Sequence, residues 1–110
     1  MATEQLPATA VIRISQAVFD HAQFPDVREM SLTTSDFLIP AVKELPGLIS
    51  FYAGVSPEGS VVNVSIWDSE EHAKQLDTLT AMVVDARQAA EKAGATFVRP
   101  IINYPIDWTI

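Results

Sequence analysis

The sequence predicts an α+β fold, the split βαβ or ferredoxin-like sandwich, in which a four-stranded antiparallel sheet carries both helices on one face. The predicted elements follow the order strand, helix, strand, strand, helix, strand, which is the order of that fold. A short turn joins the second and third strands into a hairpin, and each helix has one apolar stripe. With 110 residues, 48% of them hydrophobic, the chain is expected to form a single domain over residues 1–110.

The first strand and first helix are predicted from two different periodicities. Residues alternate in character over Thr9–Val18, which is typical of a strand. Apolar residues then recur at three- and four-residue steps over Pro25–Leu45, which indicates an amphipathic helix. Pro40 removes one backbone hydrogen bond from that helix, so we expect a kink or a break near Ser35, where a new N-cap is available.

The second and third strands are predicted to form an antiparallel hairpin. Pro46 and Gly47 end the helix, the second strand follows over Leu48–Val55, and the turn at 56–59 leads into the third strand. One face of that third strand is purely aliphatic, and it consists of Val62, Val64 and Ile66. The other face carries an amide, a hydroxyl and an indole, on Asn63, Ser65 and Trp67, and this mixture is typical of a lined pocket.

The second helix has a strong predicted start at Ser69, an N-cap residue followed by two glutamates that favour a helix N-terminus. Its apolar stripe continues until Gly94, which predicts one long helix, and a fourth strand follows over Thr96–Tyr104. The two helices can cover only one face of the sheet. The sequence therefore predicts a homodimer in which two sheets pack face to face, with the apolar tail 105–110 reaching the partner.

Charge and composition exclude several classes of partner. A net charge of −7 and the lack of any Lys/Arg cluster disfavour nucleic acids and anionic membranes as partners. The absence of cysteine excludes disulfides and sulfur-based metal sites. No apolar run approaches the roughly 20 residues that span a bilayer, and no signal-peptide pattern opens the chain, so a cytoplasmic location is expected.

Two short motifs resemble those of a known family. These are Pro46–Gly47 before the second strand and Trp67–Glu71 at the junction of the third strand and the second helix. On them the chain is similar to the dimeric α/β-barrel superfamily and, within it, to the antibiotic-biosynthesis-monooxygenase-like proteins. The resemblance spans Thr9–Tyr104 and implies a cofactor-free monooxygenase that acts on a small apolar or aromatic molecule, such as a phenol or hydroquinone.

The resemblance also implies a set of catalytic residues. Quinone-forming members line their pocket with an asparagine and a tryptophan four residues apart on the third strand, and with an arginine on the second helix. Asn63, Trp67 and Arg87 occupy the matching positions. Those members also use a tyrosine early in the second helix, where this chain has His72 and Ala73 instead. This departure leaves the proton-handling step open.

The chemistry of these side chains suits oxidation of a phenol. Asn63 can hydrogen-bond a phenolate or peroxide, Trp67 offers a stacking face, and Arg87 supplies fixed positive charge. His72 shares the apolar side of the predicted helix with residues such as Val83, so it is a candidate base. Further candidates for substrate contact are Arg13, Tyr52 and Val83. No metal or organic cofactor is expected.

Each candidate also has a structural interpretation. Trp67 can be a core residue, Asn63 can bond a neighbouring backbone group, Arg87 can pair with Glu91, and His72 can be solvated. These interpretations leave enzyme status open. Two other functions for the same fold therefore stay open: a ligand-binding or stress-response protein without chemistry, and an isomerase or cyclase that moves a proton.

Cofactor-dependent functions are not expected. Haem-degrading relatives would place a histidine on the second helix and an asparagine on the first strand, where this chain has Asp77 and Ser15. The glycine signatures of flavin and nicotinamide sites are lacking as well. The substrate itself cannot be identified from the sequence.

Overall fold

The computed structural model describes the backbone of residues 6–78 and 81–110, and their side chains except those of 78–84. The strands are β1 (Val11–Val18), β2 (Leu48–Ser56), β3 (Ser60–Trp67), β4 (Thr96–Phe97) and β5 (Ile102–Pro105). The helices are α1 (Phe24–Lys43), α2 (Glu70–Ala73), α3 (Gln75–Thr78) and α4 (Ala81–Lys92), with a 3-10 turn at His21–Gln23. Within the described ranges, no helix has the length and apolar character to cross a bilayer.

The sheet confirms the predicted α+β architecture. Its strand order is β2-β3-β1-β4, and β5 also pairs with β1; every pairing is antiparallel. The predicted fourth strand over Thr96–Tyr104 is two short strands, because the chain leaves the sheet edge between them. The backbone N–H of Val98 donates to Gln16 O at 2.8 Å and ties that connection to β1.

The first helix is continuous, so the predicted break near Ser35 is wrong. Pro40 lies inside α1, and the hydroxyl of Ser35 donates to Leu32 O at 2.6 Å instead of capping a new helix. Both Pro40 and Asp36, whose carbonyl loses its i+4 donor to the proline, are exposed. Water can solvate that carbonyl, so the missing hydrogen bond does not end the helix.

The second helical region is segmented, so the predicted single helix from Ser69 to Gly94 is wrong in its middle. The start is confirmed, because Ser69 Oγ accepts from His72 N at 3.2 Å. A turn at Lys74 then separates α2 from α3, and α4 begins at Ala81. The predicted end is also confirmed, since Gly94 follows α4 with a φ of 107°.

Helices cover one face of the sheet and leave the other face uncovered. The register pairs Arg13 with Ser65 and Ser15 with Asn63, so these four side chains share one face. Helices α1 and α4 cover that face. The opposite face carries the aliphatic row of β3 and no helix, as the sequence predicted. Its central row crosses the strands in the order Tyr52, Val64, Ile14 and Ile102.

Two separate apolar clusters hold the helices on the sheet. The first gathers around Trp67 and includes Val11, Val42, Ala73 and Leu76. The second gathers around Val27 and includes Ala17, Val61, Ala90 and Ala95. Each strand of the β1–β3 pair contributes its two ends to these clusters. The middle of that pair, which carries polar side chains, lies between them.

Candidate functional site

A cavity of about 540 Å³ lies between the sheet and helices α1 and α4. That volume is within the range of ligand pockets for drug-sized molecules. Its walls are mostly apolar, with Phe51 from β2 and Leu38 from α1 among them. Polar side chains interrupt these walls, among them Arg13, Ser15, Thr34, Asn63, Ser65 and Arg87.

The sequence of the two central strands explains why the cavity forms at this place. On the helix-facing side, β1 reads Val11, Arg13, Ser15 and Ala17, and β3 reads Val61, Asn63, Ser65 and Trp67. The outer positions of each strand join an apolar cluster, and the inner positions are polar. Polar side chains that lack partners cannot close an apolar core without a cost in free energy. The helices therefore pack at both ends and leave space in the middle.

Asn63 and Arg87 are brought together as walls of this cavity. Asn63 is half-buried and lies beside Ser15 and Ala53 in the sheet. Within the part of the chain that the structure describes, its side chain forms no hydrogen bond. Both its amide donors and its carbonyl oxygen are therefore available to a ligand. The expected backbone bond of Asn63 is not observed among those residues.

Arg13 is nearly fully buried, with 3% of its surface exposed. Its Nη2 donates to Asp77 Oδ1 at 2.6 Å, and its Nη1 lies 3.5 Å from Ala73 O. The pair crosses from the sheet to α3, and it satisfies a charge that would otherwise be costly to bury. Arg13 also lines the cavity, so it stays a candidate for substrate contact.

Arg87 is half-buried in α4, near two other arginines. Burial lowers the pKa of its guanidinium, and the positive charges of Arg99 and Arg13 lower it further, while Asp77 opposes them. A guanidinium stays protonated at neutral pH in spite of such a shift. The direction of the shift therefore means that Arg87 lies in a positive, partly desolvated environment that would favour an anion.

Trp67 is a core residue and does not line the cavity, contrary to the predicted stacking role. Its side chain is 0% exposed and packs with Val42 and Leu76. Its Nε1 donates to Ser65 Oγ at 2.8 Å. The indole is therefore enclosed by α1 and α3 and is satisfied internally. Ser65 remains at the cavity wall with its own hydroxyl hydrogen free to be donated among the described residues.

His72 lies outside the cavity wall as the structure describes it. Its Nδ1 is 2.6 Å from Asp68 Oδ1, and the pair packs against the backbone of Gly47. The turn at Lys74 explains this placement, because it breaks the helical phase that would have aligned His72 with residues further along. The predicted substrate contact Val83 lies outside the residues whose side chains are described.

Tyr52 was a predicted contact and lies on the wrong face of the sheet. Its register partner is Val64 of the aliphatic row, and its side chain is 63% exposed. Phe51 and Ala53, its two neighbours, line the cavity instead. Alternation showed that these neighbours share a face, and it did not show which face pairs with the pocket side of β3.

Sequence reasoning missed the hydroxyls of Ser15 and Thr34 as cavity walls, whereas it placed Ser65 on the pocket face of the third strand. A signal for Ser15 was present, because it lies two residues from Arg13 and so on the same face of β1. Thr34 belongs to the buried stripe of α1, where a polar residue is unusual. Over residues 6–78 and 81–110, no group of three His, Asp or Glu side chains is placed to hold a metal ion.

Comparison with known proteins identifies the fold. No family model and no curated protein sequence match the chain. One similar solved structure is that of SnoaB from Streptomyces nogalater, a cofactor-independent oxygenase, as an asparagine-to-alanine variant. It superposes with a TM-score of 0.66 at 13% sequence identity. The match covers 94% of this chain and 98% of that chain. The chain has the antibiotic-biosynthesis-monooxygenase fold.

Two further structures with this antibiotic-biosynthesis-monooxygenase fold are similar. A candidate monooxygenase of that class from Nitrosomonas europaea gives a TM-score of 0.67 at 14% identity, with 96% of this chain and 97% of that chain covered. The ActVA-Orf6 monooxygenase of Streptomyces coelicolor, solved with nanaomycin D, gives 0.57 at 21% identity, with 84% and 88% covered. These identities support the shared fold.

Proposed function

We propose that this protein binds a small phenol or hydroquinone in the cavity and oxidises it as a cofactor-independent monooxygenase. The observation that carries the proposal is the cavity of about 540 Å³ whose apolar walls present Asn63, Arg13 and Arg87. Apolar walls with a few convergent polar groups are typical of a small-molecule site. The similarity of fold to SnoaB, a cofactor-independent oxygenase, supports the choice of reaction.

The proposed reaction is balanced by dioxygen alone. The deprotonated phenol gives one electron to O₂, and the resulting superoxide combines with the ring radical to form a peroxide at a ring carbon. This peroxide takes up a proton from solvent and becomes a hydroperoxide. Loss of water from that carbon leaves a quinone carbonyl, so phenol and O₂ become quinone and H₂O. The protein would hold the anion and keep bulk water out.

The guanidiniums of Arg13 and Arg87 at the cavity wall would provide most of the stabilisation of the bound anion. Positive charge within a few ångströms favours the anionic form of a bound phenol and so lowers its pKa. Arg13 is already paired with Asp77, which leaves Arg87 as the stronger source of net charge. Asn63 would donate its amide to the phenolate or to the peroxide oxygen. The substrate would thus ionise through its environment, with its proton passing to solvent.

A second candidate function is binding without chemistry. The placement of Trp67 in the core and of His72 beside Asp68 favours it, since neither reaches the cavity among the described side chains. The catalytic set implied by the family resemblance is therefore only half assembled, as Asn63 and Arg87. A binding protein needs only the cavity and its polar anchors.

Oxygen consumption separates the two candidates. Purified, metal-free protein would be mixed with a panel of hydroquinones and polycyclic phenols, while dissolved oxygen and product absorbance are recorded. We expect Asn63→Ala and Arg87→Gln to lower turnover at least tenfold, because each removes a group that stabilises the anion. The matched control is His72→Gln, which should keep wild-type turnover because His72 lies outside the described cavity wall.

The outcomes discriminate clearly. Turnover that both cavity variants lose, while they stay folded by circular dichroism, supports the monooxygenase. Binding of the same phenols without oxygen uptake above the spontaneous rate selects the binding protein. Loss of activity in His72→Gln would show that the imidazole takes part and that the proposed ionisation by environment is wrong.

A further inference from the structure

Three arginines and one carboxylate lie in one region at the end of the cavity. Arg13 is bonded to Asp77 at 2.6 Å, and Asp77 lines a recess with Arg87 and Arg99. Arg99 comes from the connection between β4 and β5, so the recess joins the sheet edge to α3 and α4. The interaction of Arg87 with both Arg13 and Arg99 places all three guanidiniums in one electrostatic group.

We call this space the arginine recess; it is lined by Asp77, Arg87 and Arg99, and Arg13 lies behind Asp77. The recess is positively charged, whereas the chain as a whole is negative. The protein has only seven basic residues and a net charge of −7, yet three of the seven gather here. Among the described residues, Asp77 is the one carboxylate that acts on Arg87. One negative charge among three positive ones leaves an excess of about two positive charges, which would attract an anion to this recess.

The arginine recess adjoins the main cavity. Arg87 and Ile101 line both spaces, so a molecule in the cavity has a route for one substituent into the recess. The guanidiniums of Arg87 and Arg99 form no ion pair with the side chains that the structure describes, and they offer planar donor pairs that match a carboxylate.

We propose that the arginine recess is an anion subsite, and that it binds a carboxylate carried by the aromatic ligand of the main cavity. This inference rests on the proposed function and narrows its substrate class to phenols that bear an acidic substituent. The ring would lie between the sheet and α1, and the carboxylate would reach Arg87 and Arg99. Arg13 would stay paired with Asp77 and would keep that carboxylate in place at the base of the recess.

A matched pair of probes tests this subsite. Binding of 1-hydroxy-2-naphthoate and of its neutral methyl ester would be measured by isothermal titration calorimetry on the whole chain. We expect the acid to bind wild-type protein about tenfold more tightly than the ester, from one charge-assisted contact. Arg99→Gln should remove that preference and leave the affinity for the ester unchanged. Arg28→Gln, an exposed arginine on α1, should keep it.

Each result has a separate meaning. If acid and ester bind wild-type protein equally, or if Arg99→Gln keeps the preference, the subsite is overturned while the proposed function stands. If neither probe binds, the proposed function fails for this class and the subsite fails with it. Arg99 is exposed, so its variant should fold normally, and circular dichroism would verify this. Raising the NaCl concentration should weaken binding of the acid and not of the ester.

Discussion

Gly47 shows how a single residue supports the strand–helix junction. Its φ is 83°, a conformation that glycine adopts readily, and a Cβ there would overlap His72 and Asp68. Gly47→Ala should therefore destabilise the protein by about 2–4 kcal/mol, through backbone strain and steric overlap. Urea denaturation followed by circular dichroism measures this change.

Gly54→Ala is the matched control for that substitution. Gly54 lies in β2, and a Cβ there would meet nothing within 4 Å. A strand glycine costs about 0.5–1 kcal/mol relative to alanine, so this variant should be neutral or slightly more stable. If both variants were destabilised equally, steric overlap with His72 and Asp68 would not be the reason that position 47 requires a glycine.

The hydrogen bond from Trp67 to Ser65 should contribute to stability beyond the packing of the indole. Ser65→Ala leaves the buried Nε1–H of Trp67 without an acceptor and should cost about 1–3 kcal/mol. In Trp67→Phe that donor is gone, so the same serine change should cost much less. A double-mutant cycle by urea denaturation tests this, and a coupling energy near zero would refute the interaction.

The positive cavity predicts a specific pH dependence. Positive charge on Arg87 favours the anion, so a bound phenol should ionise below its free pKa. Turnover should then rise with pH through that lowered pKa and level off above it. Arg87→Gln should move the midpoint upward by about one unit. Rates of oxygen uptake across a pH series give both midpoints, and an unmoved midpoint would exclude Arg87 from stabilising the phenolate.

At the residue level, the sequence predicted Asn63 from the polar face of its third strand and Arg87 from the family resemblance, and it offered Arg13 as a further candidate; all three line the cavity. It misplaced Tyr52, since alternation defines two faces and the hairpin register decides which one is covered. The sequence also predicted that Trp67 contacts a ligand. Trp67 does lie on the helix-facing side of β3, but alternation could not show that α3 covers this end of the strand. Such distinctions depend on tertiary packing and not on spacing.

Among the elements, α1 tests how a helix tolerates proline. Pro40→Ala restores the hydrogen bond to the exposed carbonyl of Asp36, so it should stabilise the protein by about 1–2 kcal/mol. Pro57 is the control. It lies second in the turn closed by Gly59 N and Ser56 O at 3.1 Å, where a proline is favourable. Pro57→Ala should be neutral or destabilising, and thermal unfolding of both variants would reveal a contrary order.

The two motifs that carried the family resemblance meet in space and have a structural role. Asp68 N donates to Gly47 O at 2.9 Å, and Gln75 Nε2 donates to Pro46 O at 2.9 Å. They fasten the start of β2 to the end of β3 and the start of α2. This explains why they predicted the fold. The helix break at Lys74 left no comparable signal, because the apolar period continues across it.

For the whole molecule, the uncovered sheet face favours a dimer. Its central row crosses four strands through Tyr52, Val64, Ile14 and Ile102, and two of these side chains are exposed by more than 40%. The tail adds Trp108, which is 76% exposed. A continuous apolar face of this kind marks an interaction surface. We propose that a second copy covers it, sheet against sheet.

That dimer is testable with one charge. Tyr52→Glu places a carboxylate in the centre of the proposed interface, where it would lose its hydration, whereas in an isolated chain the position is mostly in water. Thr33→Glu adds the same charge to the exposed surface of α1. Light scattering after size exclusion should give about twice the chain mass of 12.0 kDa for the wild type and for Thr33→Glu, and a single chain mass for Tyr52→Glu.

A monomeric wild type would refute the dimer, and a dimeric Tyr52→Glu would place its interface elsewhere. Cavity and dimer face lie on opposite sides of one sheet, so this variant should still bind phenols.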